Sequence, residues 1–168
     1  MGLFKKFYPD EYPDSTYEID FEKKYEDGFR GVIFDIDNTL VPHGAPSDER
    51  SRTLLKGLME LGYKVMLLSN NKKARVDMFN EEIGALTIFR ANKPSKSGYL
   101  RAMEEMGTTK DNTLFVGDQL FTDVLGAKNV GIHTILVKPI DKKEEIQIVI
   151  KRIFEKPILA EYLRNVRK

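Results

Sequence analysis

The sequence predicts a three-layer α/β domain, in which about five parallel strands form a sheet and helices cover both of its faces. Short apolar runs alternate with longer amphipathic stretches along most of the chain, which is the pattern of βαβ units. The apolar runs do not alternate with polar residues, so each strand is expected to be buried on both faces. A chain of 168 residues has the length of one such domain.

Five apolar runs are predicted as strands, and four stretches between them as helices. The strands cover residues 31–35, 64–69, 85–89, 113–117 and 132–137. The helices cover residues 47–61, 72–83, 94–106 and 120–129. Ser47 is the predicted N-cap of the first helix, and Pro94 suits the first position of the third. Glycines 62, 84, 107 and 131 stand where the helices are expected to end.

A last helix is predicted from about residue 142 onward, with an interruption at Pro157. We expect its apolar residues to pack on the sheet, namely Ile146, Val149, Ile150 and Phe154. Its basic residues are expected to form a solvated face, with contact to a membrane or a partner as the alternative; they are Lys151, Arg152, Arg164, Arg167 and Lys168.

Residues 1–28 are predicted to be an extension of a domain that covers residues 29–168. The extension contains seven aromatic residues, whereas the whole chain has 10 Phe and 7 Tyr, so something must cover these rings. We expect them to pack against the edge of the domain. The alternative is a membrane-interface or partner surface, because Leu3, Phe4 and Phe7 flank Lys5 and Lys6.

Composition narrows the functional classes. The chain has no cysteine, which excludes disulfides, thiolate zinc sites and thiol nucleophiles. The formal net charge of +1 provides no global attraction to nucleic acid, so no nucleic-acid partner is expected. No apolar stretch reaches the ~20 residues that cross a bilayer, and no secretory signal is recognisable. We expect a cytoplasmic protein, with peripheral contact to a membrane as a further option.

Two carboxylates and a hydroxyl follow the first predicted strand. If the chain stays extended after Phe34, then Asp35, Asp37 and Thr39 point to the same side. Neighbouring carboxylates resist joint ionisation unless a cation lies near them. A simple turn with capping residues would also explain this short pattern, so the other strand ends must decide.

Polar residues also follow the second, third and fourth strands. Ser69 and Asn70 end the second strand, Lys93 follows the third, and Asp118 and Asp123 follow the fourth. The carboxyl ends of parallel strands share one edge of a sheet, where ligands bind. Carboxylates suit a hard cation such as Mg²⁺. The hydroxyl, amide and ammonium donors of Thr39, Ser69, Asn70 and Lys93 suit phosphoryl oxygens, so a phosphate ester is the expected substrate.

The order of these motifs resembles the haloacid dehalogenase (HAD) superfamily of phosphatases. The chain has D-x-D-x-T from Asp35, a hydrophobic strand ending at Ser69, Lys93-Pro94, and G-D-x-x-x-x-D ending at Asp123. The resemblance implies the Rossmann-like HAD fold. Neither interval that holds a cap domain in this superfamily has room for a large one, so an open site is expected.

The resemblance also implies a role for each motif residue. Asp35 would attack phosphorus, and Asp37 would protonate the leaving alcohol and then activate water. Thr39 would orient Asp37, Ser69 would hold a phosphoryl oxygen, and Lys93 would neutralise charge. The implied ligands of Mg²⁺ are Asp35, the Asp37 backbone carbonyl, Asp118 and Asp123.

The sequence segments FDIDNTL, LLSNN, NKP and GDQLFTDVLGA most resemble the YqeG-type group (subfamily IIIA), which is similar to phosphatidylglycerophosphate phosphatases. This resemblance, with the open site, favours a lipid headgroup as the substrate. A phosphoprotein, a nucleotide or a sugar phosphate is the alternative, and an oligomer could supply walls for a small substrate. Two further hypotheses are a phosphoacceptor that resembles response-regulator receivers and a non-enzymatic partner-binding module.

Overall fold

The computed structural model describes residues 4–141 and 146–167. Five parallel strands form one sheet in the order β3-β2-β1-β4-β5, which confirms the predicted fold class. Chain order reverses at β1, so a topological switch point lies between β1 and β4, where such sheets bind ligands. The strands are β1 (Gly31–Phe34), β2 (Lys64–Leu68), β3 (Leu86–Ile88), β4 (Thr113–Gly117) and β5 (His133–Leu136).

Helices cover both faces of this sheet. Short 3₁₀ turns at Lys5–Phe7 and Thr16–Glu18 precede the first helix, and a π-helical turn at Leu120–Val124 leads into the fifth. The helices are α1 (Phe21–Glu26), α2 (Glu49–Leu61), α3 (Lys73–Asn80), α4 (Lys96–Met106), α5 (Leu125–Asn129) and α6 (Ile146–Val166). No helix in the described ranges is long and apolar enough to cross a membrane.

Side chains of β1 alternate between two cores. Val32 and Phe34 belong to the core that α2 and α3 cover, whereas Ile33 belongs to the core under α4 and α5. Both sets are fully buried, because each face of a central parallel strand is covered. The tight packing of β1 therefore holds its carboxyl end, and the residues that follow, in one position.

Two predicted helix starts lie at other residues. The N-cap of α2 is Asp48 and not Ser47, because Asp48 and Ser51 exchange side-chain and backbone hydrogen bonds in a capping box. The helix after β3 begins at Lys96, two residues after Pro94, which follows a cis peptide bond. The preference of proline for the first turn of a helix therefore does not determine where α4 starts.

The N-terminal extension contacts the domain at several points. Phe21 is buried in the main core, and its backbone carbonyl accepts a 2.7 Å hydrogen bond from the Tyr63 hydroxyl. Glu11 pairs with β5 through the backbone, and its carbonyl accepts a hydrogen bond from Leu136 N. The Phe7 ring meets the Phe121 ring at 5.2 Å between centroids. In the described residues, this segment covers one edge of the sheet.

Helix α6 faces the opposite way from the prediction. Ile146 is 76% exposed and Phe154 is 63% exposed, whereas Glu155, Ile158 and Tyr162 are buried. The helix also runs through Pro157 without an interruption. The prediction was wrong because both sides of α6 carry apolar residues, so hydrophobic periodicity does not identify the inner side. The part of the predicted helix at residues 142–145 lies outside the described residues.

Candidate active site

A cleft of about 260 Å³ opens at the carboxyl ends of the central strands. Larger hollows lie elsewhere on the surface, but they are lined by α1, α2 and the N-terminal segment and contain none of the site residues predicted from sequence. Five of the eight site residues predicted from sequence line the cleft. Thr39 and Asp123 bond to lining residues, and Asp118 bonds to Thr39. The lining residues are Asp35, Asp37, His43, Ser69, Asn70, Asn71, Lys93, Gln119, Thr122, Gln147, Ile148 and Lys151.

Lys93 joins two of the predicted carboxylates. Its Nζ lies 2.9 Å from Oδ1 of Asp35 and 2.7 Å from Oδ1 of Asp123. The lysine side chain is 3% exposed, so this charge pairing takes place away from bulk water. Burying an ammonium group is costly unless carboxylates surround it, and the two partners satisfy that condition. A fixed positive charge therefore lies beside the predicted nucleophile.

Three contacts, made by two side chains, hold Asp118 in place. One carboxylate oxygen accepts a 3.1 Å hydrogen bond from the Thr39 hydroxyl, which also lies 3.4 Å from Asp35. The other oxygen forms an ion pair with Arg152 of α6, whose guanidinium also donates to the Asp118 backbone carbonyl. The resemblance implied that Thr39 orients Asp37, but in the structure its hydroxyl bridges Asp35 and Asp118.

Asp123 closes the loop that follows β4. Its Oδ2 accepts hydrogen bonds from the backbone N–H groups of Asp118 (3.2 Å) and Gln119 (3.1 Å). The π-helical turn places Asp123 directly over Gly117, where an added Cβ would lie 2.6 Å from the Asp123 Cγ. Only a residue without a side chain leaves room for this carboxylate, which explains the glycine before Asp118.

Burial dominates the electrostatics of the carboxylates. Burial raises the pKa of Asp35 to about 7; the Lys93 ammonium opposes this rise and the Asp118 carboxylate adds to it. Burial and the nearby Asp123 raise the pKa of Asp118 to about 6, against the opposing effect of Arg152. Burial also raises the pKa of Asp123. The pKa of Lys93 is raised by the Asp123 and Asp35 carboxylates, although burial acts to lower it.

Asp37 is turned towards donors on neighbouring loops and helices. Its Oδ1 accepts hydrogen bonds from Gly44 N (2.7 Å) and from Arg75 Nη2 (2.8 Å). Its Oδ2 accepts a 2.6 Å hydrogen bond from the Asn71 side chain. Every one of these contacts uses the carboxylate as an acceptor. The three donors therefore hold the Asp37 carboxylate in one orientation beside the cleft.

Ser69 and Asn70 differ in what their side chains do. Ser69 is buried at the base of the cleft, and its Oγ accepts a hydrogen bond from Asn71 N, so the hydroxyl proton is available to another acceptor. The Asn70 side chain instead forms two hydrogen bonds with the Lys93 backbone. It accepts one from the N–H (2.7 Å) and donates one to the carbonyl (3.2 Å). Asn70 thus holds Lys93 in place, which differs from the predicted contact with phosphate.

The carboxylates form a group that fits a divalent cation. One oxygen each from Asp35, Asp118 and Asp123 lies within 4.8 Å of the other two, and all three residues are buried. Oxygen donors of this type are the ligands of hard divalent ions. The Asp37 carboxylate is outside this group because it faces Arg75. The three carboxylates repel one another when ionised, and a cation would offset that repulsion. This set of oxygen donors is therefore suited to a cation.

Sequence reasoning did not identify two arginines at the site: Arg75 was not singled out, and Arg152 was wrongly expected on the solvated face of the last helix. Arg75 of α3 pairs with Asp37, and Arg152 of α6 pairs with Asp118, across 38 and 34 residues of sequence. Arg75 and Arg152 stand among other charged residues of their helices, so no local pattern distinguishes them. The only available signal was the presence of acidic residues that require buried counter-charges.

Comparisons with known proteins agree with this geometry. A family model of HAD-like hydrolases matches residues 90–147. The chain is 37% identical over 165 residues to a Bacillus subtilis (strain 168) protein named Probable phosphatase YqeG, covering 97% of this chain and 96% of that protein. It is 29% identical to Phosphatidylglycerophosphate phosphatase 1, chloroplastic/mitochondrial, of Arabidopsis thaliana, with 88% of this chain aligned to 45% of that protein. The chain thus spans less than half of the plant relative.

Solved structures share the fold at low sequence identity. A HAD superfamily (subfamily III A) hydrolase from Legionella pneumophila superimposes with a TM-score of 0.55 at 19% identity, covering 73% of this chain and 75% of that one. The core domain of a phosphoglycolate phosphatase from Streptococcus pneumoniae TIGR4 gives a TM-score of 0.51 at 21% identity, covering 76% and 96%. These likenesses concern the architecture that carries the cleft.

Proposed function

The chain belongs to the HAD superfamily of phosphatases, and from this premise we propose that it hydrolyses phosphate monoesters by way of an aspartyl phosphate on Asp35. The supporting observation is the contact of the Asp35 carboxylate with Lys93 at the base of the cleft. A carboxylate that attacks a phosphate dianion meets like charge, and the buried ammonium of Lys93 offsets part of that repulsion.

The first step forms a bond between an Asp35 oxygen and phosphorus and breaks the bond between phosphorus and the ester oxygen. The leaving alkoxide takes a proton from Asp37 and departs as an alcohol. In the second step a water attacks phosphorus, its proton goes to Asp37, and the bond to Asp35 breaks. Free phosphate leaves, and both carboxyl groups return to their starting states.

Asp37 is the proposed proton carrier of this cycle, and neighbouring donors set its orientation. In the structure its carboxylate accepts hydrogen bonds from Gly44, Asn71 and Arg75. These use three of about four acceptor positions of a carboxylate, so one position on Oδ2 stays open. The Arg75 guanidinium also donates to the Ala45 carbonyl, so its own position is fixed. We propose that Arg75 positions Asp37 for proton transfer to the alcohol.

A divalent cation, which we propose to be Mg²⁺, would be held by Asp35 and Asp118, with Asp123 beside them and the Asp37 backbone carbonyl as the remaining protein ligand. When bound, it supplies positive charge that favours the ionised carboxylates and the phosphoryl oxygens. Ser69 Oγ and Lys93 Nζ supply the remaining donors for those oxygens.

The proposed substrate is phosphatidylglycerophosphate or a similar lipid phosphate. Support comes from the name of the Arabidopsis relative and from the short connections around the cleft. In the described residues one helix joins β1 to β2, and one joins β2 to β3, so neither connection carries a cap domain. An open cleft admits a headgroup that remains attached to a large surface.

Phosphate release from a panel of esters tests both parts of the proposal. The panel contains phosphatidylglycerophosphate in vesicles, nucleotides, sugar phosphates and phosphopeptides, each with Mg²⁺, and Asp35→Asn is the blank. We expect release that Asp35→Asn abolishes, and fastest release from the lipid. Equal release by Asp35→Asn would refute the Asp35 mechanism. Faster release from a soluble ester would refute the lipid substrate, and a long-lived phosphorylated Asp35 without turnover would indicate a phosphoacceptor.

A further inference from the structure

The outer face of α6 is apolar over its first two and a half turns. Five side chains at helical spacing form this outer stripe, and all are exposed although the same helix is packed on the domain by its other side. An apolar stripe on a helix that already has a buried side indicates a second contact. The outer stripe consists of Ile146 (76% exposed), Val149, Ile150, Ile153 and Phe154.

The inner side of these turns forms a wall of the cleft. Gln147, Ile148 and Lys151 line the cleft together with Asp35 and Lys93. Further along α6, Arg152 pairs with Asp118, and Glu155 accepts a 2.9 Å hydrogen bond from Leu120 N. A surface that contacts the outer stripe would thus lie within about one helix diameter, ~10–12 Å, of the cleft.

We infer that the outer stripe docks on an anionic lipid membrane and holds the cleft at its surface. The chemistry of its surroundings supports this occupant. Three exposed basic residues lie within about a third of a turn of the outer stripe around the helix axis. They are Lys156, Arg164 and Arg167. Basic residues that flank an apolar helix face attract anionic headgroups.

Acidic side chains of α6 do not oppose that attraction within the described helix. Glu155 is buried against Leu120 and Arg152. Glu161 is half-buried and accepts a hydrogen bond from the Tyr8 hydroxyl. The exposed charges of α6 are therefore positive.

A second copy of the chain is the less suitable occupant. A standard protein interface uses about 20–30 residues per partner. The outer stripe has five residues and continues into basic ones. A membrane accepts a short apolar stripe with charged flanks, because the long basic side chains reach the headgroups while the apolar ones enter the acyl region.

The inference rests on the proposed function only in naming the membrane as the source of the phosphate ester, so docking is measured without turnover. Full-length Asp35→Asn protein is sedimented with phosphatidylcholine vesicles that contain or lack phosphatidylglycerol. Each exposed basic residue near an anionic surface strengthens binding by about fivefold, so three give on the order of a hundredfold preference for the anionic vesicles. Added salt should reduce this preference.

The matched variants carry equal charge changes at exposed apolar positions. Ile150→Glu/Phe154→Glu alters the outer stripe, whereas Met78→Glu/Leu100→Glu alters exposed apolar residues of α3 and α4. We expect the stripe variant to lose at least about tenfold in vesicle affinity and the control to keep it. When Asp35 is left unaltered, both variants should hydrolyse soluble p-nitrophenyl phosphate at the rate of the original protein. Such activity would show that both variants fold.

Three outcomes overturn the inference. Equal vesicle binding by the stripe variant and the control excludes the stripe as the docking surface. A dimer by light scattering that the stripe variant dissociates, with no vesicle binding by either protein, assigns the stripe to a second copy. Phosphate release without docking refutes only this inference, and docking without phosphate release refutes only the proposed function.

Discussion

Arg75 Nη2 lies 2.8 Å from Oδ1 of Asp37, and each of the two side chains is 13% exposed. The same guanidinium donates to the Ala45 carbonyl at 2.6 Å. A helix that follows β2 therefore holds both the carboxylate after β1 and the loop beyond it. This pair connects the proposed acid–base residue to a residue outside the four family motifs.

Replacing Arg75 by Gln is expected to slow the hydrolysis of alkyl phosphates more than that of aryl phosphates. An alkyl leaving group requires the proton of Asp37, whereas p-nitrophenolate leaves without one. Loss of the guanidinium removes the group that positions Asp37, so we expect at least a tenfold greater loss of kcat/KM for the alkyl ester. Arg75→Lys should restore part of the rate. Faster alkyl ester hydrolysis by Arg75→Gln would show that the pair restrains Asp37 without positioning it.

Gly117→Ala is expected to displace the Asp123 carboxylate from its position in the site. The added methyl group would lie 2.6 Å from the Asp123 Cγ, so the carboxylate must move away from Lys93 and from the Asp118 N–H. We expect a loss of about 1–3 kcal/mol in the free energy of unfolding, together with loss of phosphatase activity. Urea denaturation and steady-state kinetics measure the two effects.

Gly57→Ala is the matched control for that substitution. A Cβ at this α2 position meets nothing within 4 Å. Alanine favours a helix interior by about 0.5–1 kcal/mol over glycine, so the control should gain stability and keep its activity. Equal stability changes in the two variants would contradict the close contact at Gly117.

Lys93→Met is expected to cost about 3–5 kcal/mol of unfolding free energy, because it leaves buried carboxylates without their cation. The affected carboxylates are Asp35 and Asp123, at 2.9 and 2.7 Å from Nζ. Lys23→Met removes an exposed pair with Asp27, which contributes at most about 1 kcal/mol. Chemical denaturation of both variants in the absence of divalent metal makes the comparison. A Lys93 variant as stable as the Lys23 variant would contradict a buried ionic cluster.

The raised pKa values of Asp35 and Asp118 predict a pH dependence of stability. Their values of about 7 and about 6 lie above the ordinary value of 3.8, so the folded protein holds these protons more tightly than the unfolded chain. Their contribution is complete below about pH 4 and is lost as the pH rises through about 6 to 7. The unfolding free energy of the unaltered protein, relative to Asp35→Asn, should therefore fall over this interval.

Metal binding should show the opposite trend. Mg²⁺ binds ionised carboxylates, so protons compete with it at low pH. We expect the rise in Tm caused by Mg²⁺ to be small near about pH 5 and larger near about pH 8, and chelation to remove both the rise and the phosphatase activity. A thermal melt series with Asp118→Asn as control tests this. A Tm rise that does not change with pH would place the ion elsewhere.

The sheet and its polar rim were predictable because both depend on local patterns. Continuous apolar runs predict strands buried on two faces, and all five strands lie inside the predicted ranges. Parallel strands bring their carboxyl ends to one edge, so Asp35, Lys93 and Asp123 could be placed together from sequence. The 2.7 Å contact between Lys93 and Asp123 crosses 30 residues of chain.

Orientation of individual side chains was not predictable in the same way. The resemblance implied that Thr39 orients Asp37, but its hydroxyl bonds Asp118. The contacts of Asn70 with the Lys93 backbone and of Asp37 with Arg75 were not predicted from the sequence. Hydroxyl, amide and carboxylate groups accept several partners at equal cost, so the surrounding packing selects one. For α6, apolar residues on both sides made the inner side undetermined until the domain was assembled.

The sequence by itself determined the α/β architecture, the order of the motifs and the family, because periodicity and motif spacing are properties of neighbouring residues. Only the tertiary structure decided which charges meet. Arg75 and Arg152 are ordinary surface residues by sequence, and they become counter-ions of Asp37 and Asp118 because α3 and α6 pack beside the cleft. Buried carboxylates require nearby positive charge, and three-dimensional packing determines which helix provides it.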